Sequence, residues 1–440
     1  MKFLIKSIII KILTLEARLA LRKFRPYVVA VTGNVGKTSA KDAIYAVLKT
    51  SFNVRKSEKS FNSDIGVPLT ILGLSNGWNN PVVWLKNLLK GFILCLPKVL
   101  SSGSVRYPEW LILEIGADRP GDIARITSWL APNVVVVTRI GEVPVHIEYF
   151  ASVKEVIHEK SELVRALATG GHLVLNADDG EVLAMKDLRE GKVTSYGLSS
   201  SAFARGSGYK VIYEGRAIKR KPCGISFNVE WDSGTIPITR KNSLGEGHMY
   251  PVLVAFAVGL EKGISFEVLK DSLNSYEAAP GRMKILEGIK GTTLVDDTYN
   301  ASPAATSNAL KTFASLKTRG KKHVVFGDML ELGKYSTEEH RKVGMEVAKF
   351  SLDTLITVGV RAREIAEGAL DGGMSELNIF QYDEPARAGE HLQSLLNEGD
   401  IALVKGSQGM RMEKVVEEVM AHPEKAAELL VRQEKEWASR

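Results

Sequence analysis

The segment Thr32 to Thr38, TGNVGKT, constrains this chain more than any other. It follows a β-branched apolar run, Tyr27 to Val31 (YVVAV), and leads into a helix-like run, Ser39 to Leu48. Strand, glycine loop and helix in that order aim backbone N–H groups and a helix N-terminus at one point, beside a lysine. That is what a phosphate requires, and the Thr38 hydroxyl adds a ligand for Mg²⁺. Gly33, Asn34, Val35, Gly36, Lys37, Thr38 and Ser39 are therefore the candidate nucleotide-binding residues. Gly33 and Gly36 stand three apart, where the common GxxxxGK[ST] pattern puts its glycines five apart. The flanking strand and helix carry the reading, not the spacing.

The chain has 440 residues, enough for two or three domains with sizeable cores. Hydrophobic residues make up 45% and charged residues 25%, an ordinary globular balance. Cys95 and Cys223 sit in no CxxC or Cys/His cluster, which argues against a zinc site or a disulfide framework and fits a reducing, cytoplasmic setting. The net charge of +7 is mild for this length and is not interleaved with stacking aromatics, so nucleic acid is not an expected partner.

After the loop, helix and strand patterns alternate. Trp110 to Ile115, Asn133 to Thr138 and His172 to Asn176 read as buried parallel strands, and residues 205–240 as a small antiparallel insert. A helical run follows over Tyr250 to Lys262. Ala279-Pro280-Gly281-Arg282 marks a boundary, beyond which Thr292–Val295, His323–Phe326, Thr354–Val358 and Ile401–Val404 predict a second α/β series. The expected class is α/β: a central P-loop domain with a parallel sheet over 26–278 and a C-terminal Rossmann-like domain over 279–422, followed by a charged, exposed helical tail over 423–440.

Two apolar elements stand apart. Residues 1–25 mix a short Ile/Leu-rich run with seven basic residues against one acid, Glu16, and predict a basic amphipathic helix rather than a secretory signal or a membrane span. Asn79 to Leu100 is strongly apolar, with Lys86 and Lys90 sharing one helix face opposite Val83, Phe92 and Ile93 or nearby. It reads as a helical hairpin packed on the first helix, or as a membrane-surface element.

Three residues at or beyond strand ends, Glu114, His146 and Lys160, say little singly. Glu114 could be an ordinary strand-end acid, His146 structural, and Lys160 a solvated helix position. With the loop they fall into a larger pattern. TGNVGKT, Phe61-Asn62 with IGVPLT, LEIGA at 113–117, LNADD at 175–179, Pro280-Gly281-Arg282, DDTYNASP at 296–303, GDMLELG at 327–333 and VKGS at 404–407 resemble the Mur ligases. The resemblance spans about residues 27–420 in the family's order and is strongest to the branch that adds D-alanyl-D-alanine.

The resemblance implies an ATP-dependent carboxylate–amine ligase acting through an acyl phosphate, with a peptidoglycan peptide precursor and a dipeptide as substrates. It implies ATP as cofactor, held by the loop together with Asn176, Arg282, Asp297, Tyr299 and Asn300. It implies two Mg²⁺ ions, one on Thr38 and Glu114 and a second on His146 and Lys160, the lysine carbamylated by CO₂. Lys37, Glu114, His146 and Lys160 would be the catalytic set, and Asn62, Asp328, Lys405 and Ser407 would meet substrate. A monomer is expected, cytoplasmic and with a possible site of contact to the inner membrane face through 1–25 and 79–100.

The chain also departs from the family. Only about 26 residues precede the first strand, too few for the N-terminal domain that grips UDP. The expectation is that the two apolar elements stand in for it. The spacer between Ile140-Gly141 and His146 is longer than the family's, and His248-Met249-Tyr250-Pro251 lacks the expected asparagines. Two rival readings stay open at this point: the same chemistry on another acceptor, whether lipid-linked, pseudomurein-like or folylpolyglutamate-like, and a non-catalytic ATP-binding scaffold of cell-wall assembly.

Overall fold

The computed structural model describes residues 2–58, 61–78, 80–96, 106–144, 146–215, 221–434 and 437, with residues 2–5 as backbone only. Asn79 and residues 97–100 of the apolar segment, Val145, residues 216–220 of the antiparallel insert, and 435–436 and 438–440 of the tail lie outside the described residues.

Nine strands form the first sheet: β1 (Tyr27–Thr32), β2 (Val54–Lys56), β3 (Trp110–Glu114), β4 (Val134–Val137), β5 (His172–Asn176), β6 (Lys192–Gly197), β7 (Ala204–Glu214), β8 (Lys221–Trp231) and β9 (Gly234–Lys241). Their order is β2-β3-β1-β4-β5-β6-β7-β8-β9. Pairing is parallel up to β7, after which β7, β8 and β9 form an antiparallel extension. β1 lies between β3 and β4, with Val31 opposite Glu114 and Thr32 opposite Val137. Its side chains alternate between two cores: Val29 and Val31 face one, Val28 and Ala30 the other. A strand buried on both faces must be apolar throughout, which explains YVVAV.

Helices cover both faces. α1 (Lys2–Phe24), α3 (Gly66–Leu72) and α4 (Pro81–Cys95) sit on one side, where Leu13 and Ala17 of α1 join Val67 and Leu69 of α3 in the core. α2 (Lys37–Leu48) lies on the other, against the helix Met249–Glu261. α5 (Asp122–Thr127) and α6 (Val153–Arg165) pack beside β4. The Ser152 hydroxyl starts α6 by accepting the Glu155 N–H at 3.3 Å.

Six strands form the second sheet: β10 (Lys284–Glu287), β11 (Thr293–Asp297), β12 (Lys322–Gly327), β13 (Thr354–Val358), β14 (Ile379–Tyr382) and β15 (Ile401–Lys405), in the order β10-β11-β15-β12-β13-β14. β10 runs antiparallel to β11; the other pairings are parallel. The chain is thus α/β with parallel sheets, as its alternating pattern predicts.

Three expectations are corrected. The described part of the 79–100 segment is one helix, α4, not a hairpin; Asn80 caps it by accepting the Val82 and Val83 N–H groups. Phe92 and Ile93 are exposed alongside Lys86 and Lys90, and the inward positions are Asn87 and Gly91. Residues 423–432 are not a free helical tail. Ala426, Leu430 and Arg432 are buried, because the Arg432 guanidinium pairs with Glu413 and donates to the Thr298 and Tyr299 carbonyls.

Candidate active site

The glycine loop is built for close approach. Gly33 has φ 132°, and a Cβ there would lie 2.0 Å from Thr138 Oγ1. Gly36, at φ 88°, is the left-handed residue that starts α2. The Asn34 and Val35 N–H groups both donate to the Arg139 carbonyl, at 2.9 and 3.0 Å. Those two amides are therefore engaged by a β-bridge and do not face a ligand, which corrects the expectation for them. The amides of Lys37, Thr38 and Ser39 begin α2, where helix geometry leaves N–H groups without intrahelical acceptors. They are the candidate donors to an anion. Lys37 folds back over the loop, its Nζ 2.8 Å from the Gly33 carbonyl. Burial pushes its ammonium below the ordinary lysine range, while Glu114, Tyr299 and Asp118 pull it back up and Arg282 adds to the lowering.

Glu114 ends β3 at 3% exposure. Its N–H donates to Ser57 Oγ at 3.1 Å, and Asn62 Nδ2 lies 3.4 Å from its Oε1. Its Oε2 accepts no hydrogen bond and lies 3.6 Å from Lys41 Nζ. Lys41 is one helical turn after Lys37 and only 1% exposed. A buried carboxylate oxygen with only a lysine near it is a position where a cation is favoured.

Lys160 sits on the inner face of α6 at 3% exposure. No hydrogen bond from its Nζ is found among the described residues. Burial, reinforced by the Lys37 charge, lowers its pKa to about 7, against the opposing pull of Glu159, Asp118 and Asp122. The neighbouring Glu159 is committed elsewhere, accepting the Gly121 and Ile123 N–H groups at 2.8 and 2.6 Å. His146 adopts φ 68°. Its Nε2 lies 3.6 Å from Asp118 and its Nδ1 2.7 Å from Glu331. It thus bridges the two sheet units at the GDMLELG loop.

From the second unit, Arg282 stacks over Tyr299 with its guanidinium carbon 4.0 Å from the ring centroid. Both act electrostatically on Lys37, Tyr299 raising its pKa and Arg282 lowering it. Asp297 does not stand free: its Oδ2 is 2.6 Å from Lys405 Nζ and its Oδ1 accepts the Met283 N–H. The Asn300 carbonyl also receives Lys405, at 2.9 Å, and its side chain meets the Gln408 N–H at 3.3 Å. Ser407 Oγ accepts the Leu330 N–H at 2.8 Å. The Asp328 carboxylate accepts the Ala362 N–H at 2.7 Å, with Arg361 3.8 Å away. Asn176 is buried and accepts the Asp178 N–H at 2.9 Å. Asn62, Asp328 and Lys405, expected at substrate, are thus held by protein partners.

The structure gathers Lys37, Glu114 and Lys160 from the first unit and Arg282 and Tyr299 from the second. It adds residues the sequence reading left without a role. Asp118 acts on both Lys37 and Lys160 and touches His146. Glu331 closes the contact to His146, and Lys41 faces Glu114. Glu331 lies inside a string already singled out, GDMLELG, and Asp118 directly follows another, LEIGA; Lys41 follows Lys37 by one turn. Arg432 gave no signal. Among the described residues no group of three or more His, Cys, Asp or Glu side chains forms a ready metal cluster.

The family profile for the Mur ligase middle domain matches residues 93–259, and that for the Mur ligase glutamate ligase domain matches residues 281–408. The UDP-N-acetylmuramoyl-tripeptide–D-alanyl-D-alanine ligase of Bacillus subtilis is 27% identical over 409 residues, 92% of this chain and 79% of that one. The enzyme of the same name from Escherichia coli is 26% identical over 392 residues, covering 88% and 76%. The MurF ligase of Thermotoga maritima, solved in complex with ADP, superposes with a TM-score of 0.74 at 26% identity, over 93% of this chain and 83% of that one. Two domain profiles in the family's order, relatives along most of the chain and a shared fold carry one conclusion: this chain belongs to the Mur ligase family.

Proposed function

We propose that this chain is an ATP-dependent carboxylate–amine ligase of peptidoglycan assembly, acting in the cytoplasm to join D-alanyl-D-alanine to a UDP-N-acetylmuramoyl-tripeptide. The observation that carries the reading is the glycine loop with Lys37 at the start of α2 and Glu114 at the adjoining strand end, in a chain whose two sheet units meet at His146 and Glu331. A carboxylate acylates an amine only if its oxygen becomes a leaving group; bound ATP would supply that by phosphorylating it. The residues fit ATP with Mg²⁺. Gly33 leaves room for close approach, the first-turn amides of α2 face outward, and Glu114 keeps a buried oxygen without a hydrogen bond.

Each residue then has a task. Lys37 neutralises the terminal phosphates, and Thr38 and Glu114 would hold one Mg²⁺. Arg282 and Tyr299 close over the nucleotide, and closure of two units keeps water from the activated carboxyl. Lys160 with a pKa of about 7 holds about half of its population as uncharged amine at neutrality. Such an amine adds to CO₂, forming an N–C bond and releasing a proton, and so becomes a carbamate that a second Mg²⁺ would favour. His146 fits that second site less well, because its Nδ1 already faces Glu331.

The test is phosphate release and amide product from ATP, Mg²⁺ and D-alanyl-D-alanine, with the UDP-linked tripeptide compared against its lipid-linked counterpart. Product with the UDP form supports the reading. Product with the lipid form alone moves the acceptor to the membrane. ATP binding without product from either removes this ligase assignment.

A further inference from the structure

We propose that α1 and α4 together form a docking face for an anionic lipid bilayer. The two helices are joined firmly. Lys23 of α1 donates to the Leu94 carbonyl at 2.8 Å and to that of Leu96, closing the C-terminus of α4. Cys95 Sγ lies 3.2 Å from the Glu16 carbonyl, and Gly91 gives Glu16 its space. The inward residues Leu13, Ala17 and Ala20 are fully buried, so this pair is fixed on the sheet rather than loosely attached.

What the pair turns outward is unusual for a protein surface. Ile12, Leu15 and Leu19 on α1 and Leu85, Leu89 and Phe92 on α4 are each 37–61% exposed. They recur at helical spacing, so each helix presents one apolar stripe to solvent. Clustered exposure of large apolar side chains on one helix pair points to an interaction site. The charge beside the stripes has one sign. Lys11, Arg18 and Arg22 flank the stripe of α1, and Lys86 and Lys90 that of α4; all five are exposed. The one carboxylate on either helix, Glu16, is buried. Apolar stripes edged by lysine and arginine match a bilayer in which acyl chains take the stripe and anionic headgroups take the long basic side chains.

Two other occupants fit less well. A second copy docking by two-fold symmetry would bring these basic edges against one another. Nor does the pair cross a membrane: no helix among the described residues is long and apolar enough to do so. The face is separate from the nucleotide cleft, and binding a vesicle needs neither ATP nor turnover, so this inference and the proposed activity can fail independently.

The experiment is co-sedimentation of the full chain with phosphatidylglycerol-rich vesicles and with pure phosphatidylcholine vesicles, at low and high salt. Binding to the anionic vesicles is expected to be at least about tenfold tighter than to the neutral ones, and to weaken as salt screens the basic edge. The triple variant Leu85→Ser, Leu89→Ser, Phe92→Ser changes only exposed side chains and is expected to lose about tenfold in binding. Lys86→Glu with Lys90→Glu tests the charge alone and is expected to abolish the preference for anionic lipid. Failure of the unmodified chain to sediment with anionic vesicles overturns the proposal, as does unchanged binding by both variants. Self-association that the triple variant abolishes, without lipid binding, would instead name a second copy as the occupant.

Discussion

Glu16 offers a sharp test of how α1 and α4 are held together. Its side chain is buried between them at 6% exposure, its Oε2 has no hydrogen-bond partner, and burial raises its pKa from 4.5 to about 7. Glu16 and Lys23 both act electrostatically on the Cys95 thiol, and the Lys23 ammonium is committed to backbone carbonyls. The folded-state value lies above the unfolded one. The folded chain therefore binds more protons between about pH 4.5 and 7, and stability falls as pH rises through that window. The full shift corresponds to about 3 kcal/mol against the ionised form. Only one helical layer separates this carboxyl from solvent, and screening brings the expected cost nearer to about 2 kcal/mol. Glu16→Gln keeps the shape and removes the charge. The variant is expected to match the parent at about pH 4 and to exceed it by about 2 kcal/mol at about pH 8. Local opening can be followed by labelling of Cys95, which lies against the Glu16 carbonyl, in a Cys223→Ser background and corrected for thiolate fraction. A difference between parent and variant that does not change with pH, or a parent better protected at high pH, would refute the reasoning.

Three further outcomes follow from the site. Gly33→Ala puts a methyl 2.0 Å from Thr138 Oγ1 at φ 132°, so ATP affinity by calorimetry should fall at least about tenfold, with about 1–3 kcal/mol of strain in the loop. Lys160→Met removes an amine whose folded pKa, about 7, lies far below its ordinary 10.5; the parent gains stability as pH rises between those values, so the variant should unfold at higher denaturant near pH 7, by up to about 4 kcal/mol, and lose that advantage above pH 10.5. The same variant should release phosphate at least about 100-fold more slowly, and a stable but fully active variant would remove Lys160 from the mechanism. Arg432→Ala leaves buried Glu413 with Arg411 as its remaining partner and frees the Thr298 and Tyr299 carbonyls; it should cost about 2–3 kcal/mol in denaturant titration and raise the KM for ATP, whereas loss of stability with an unchanged KM would make the contact purely structural.

The strands legible in the sequence were those buried on both faces. His172–Asn176 and Thr354–Val358 each centre on an apolar run, because a doubly covered parallel strand buries every position and is mostly apolar. β2, β6, β10 and β14 were missed for the converse reason. β2 is the three residues VRK, β6 carries exposed Lys192 and Val193, and β14 is only partly buried, so none shows a continuous apolar run. In the site, Lys37 and Glu114 were legible because loop and strand-end chemistry is local. The partners that occupy His146, Asp297 and Asp328 were not. Glu331, Lys405 and Ala362 reach them only through tertiary folding, and no spacing in the chain encodes that.

The position of β1 also bears on how the chain can be made. The strand that ends in the phosphate loop pairs on one side with Trp110–Glu114 and on the other with Val134–Val137, both much later in the chain. At about 5–20 residues per second, a ribosome leaves YVVAV without either neighbour for at least several seconds. A nascent chain in that interval has no phosphate cradle and carries a short β-prone segment of the kind that recruits other chains. Arg22, Lys23 and Arg25 stand immediately before it, and charges in that position act as gatekeepers against aggregation. The cationic end of the first helix would then guard synthesis before it serves the finished enzyme.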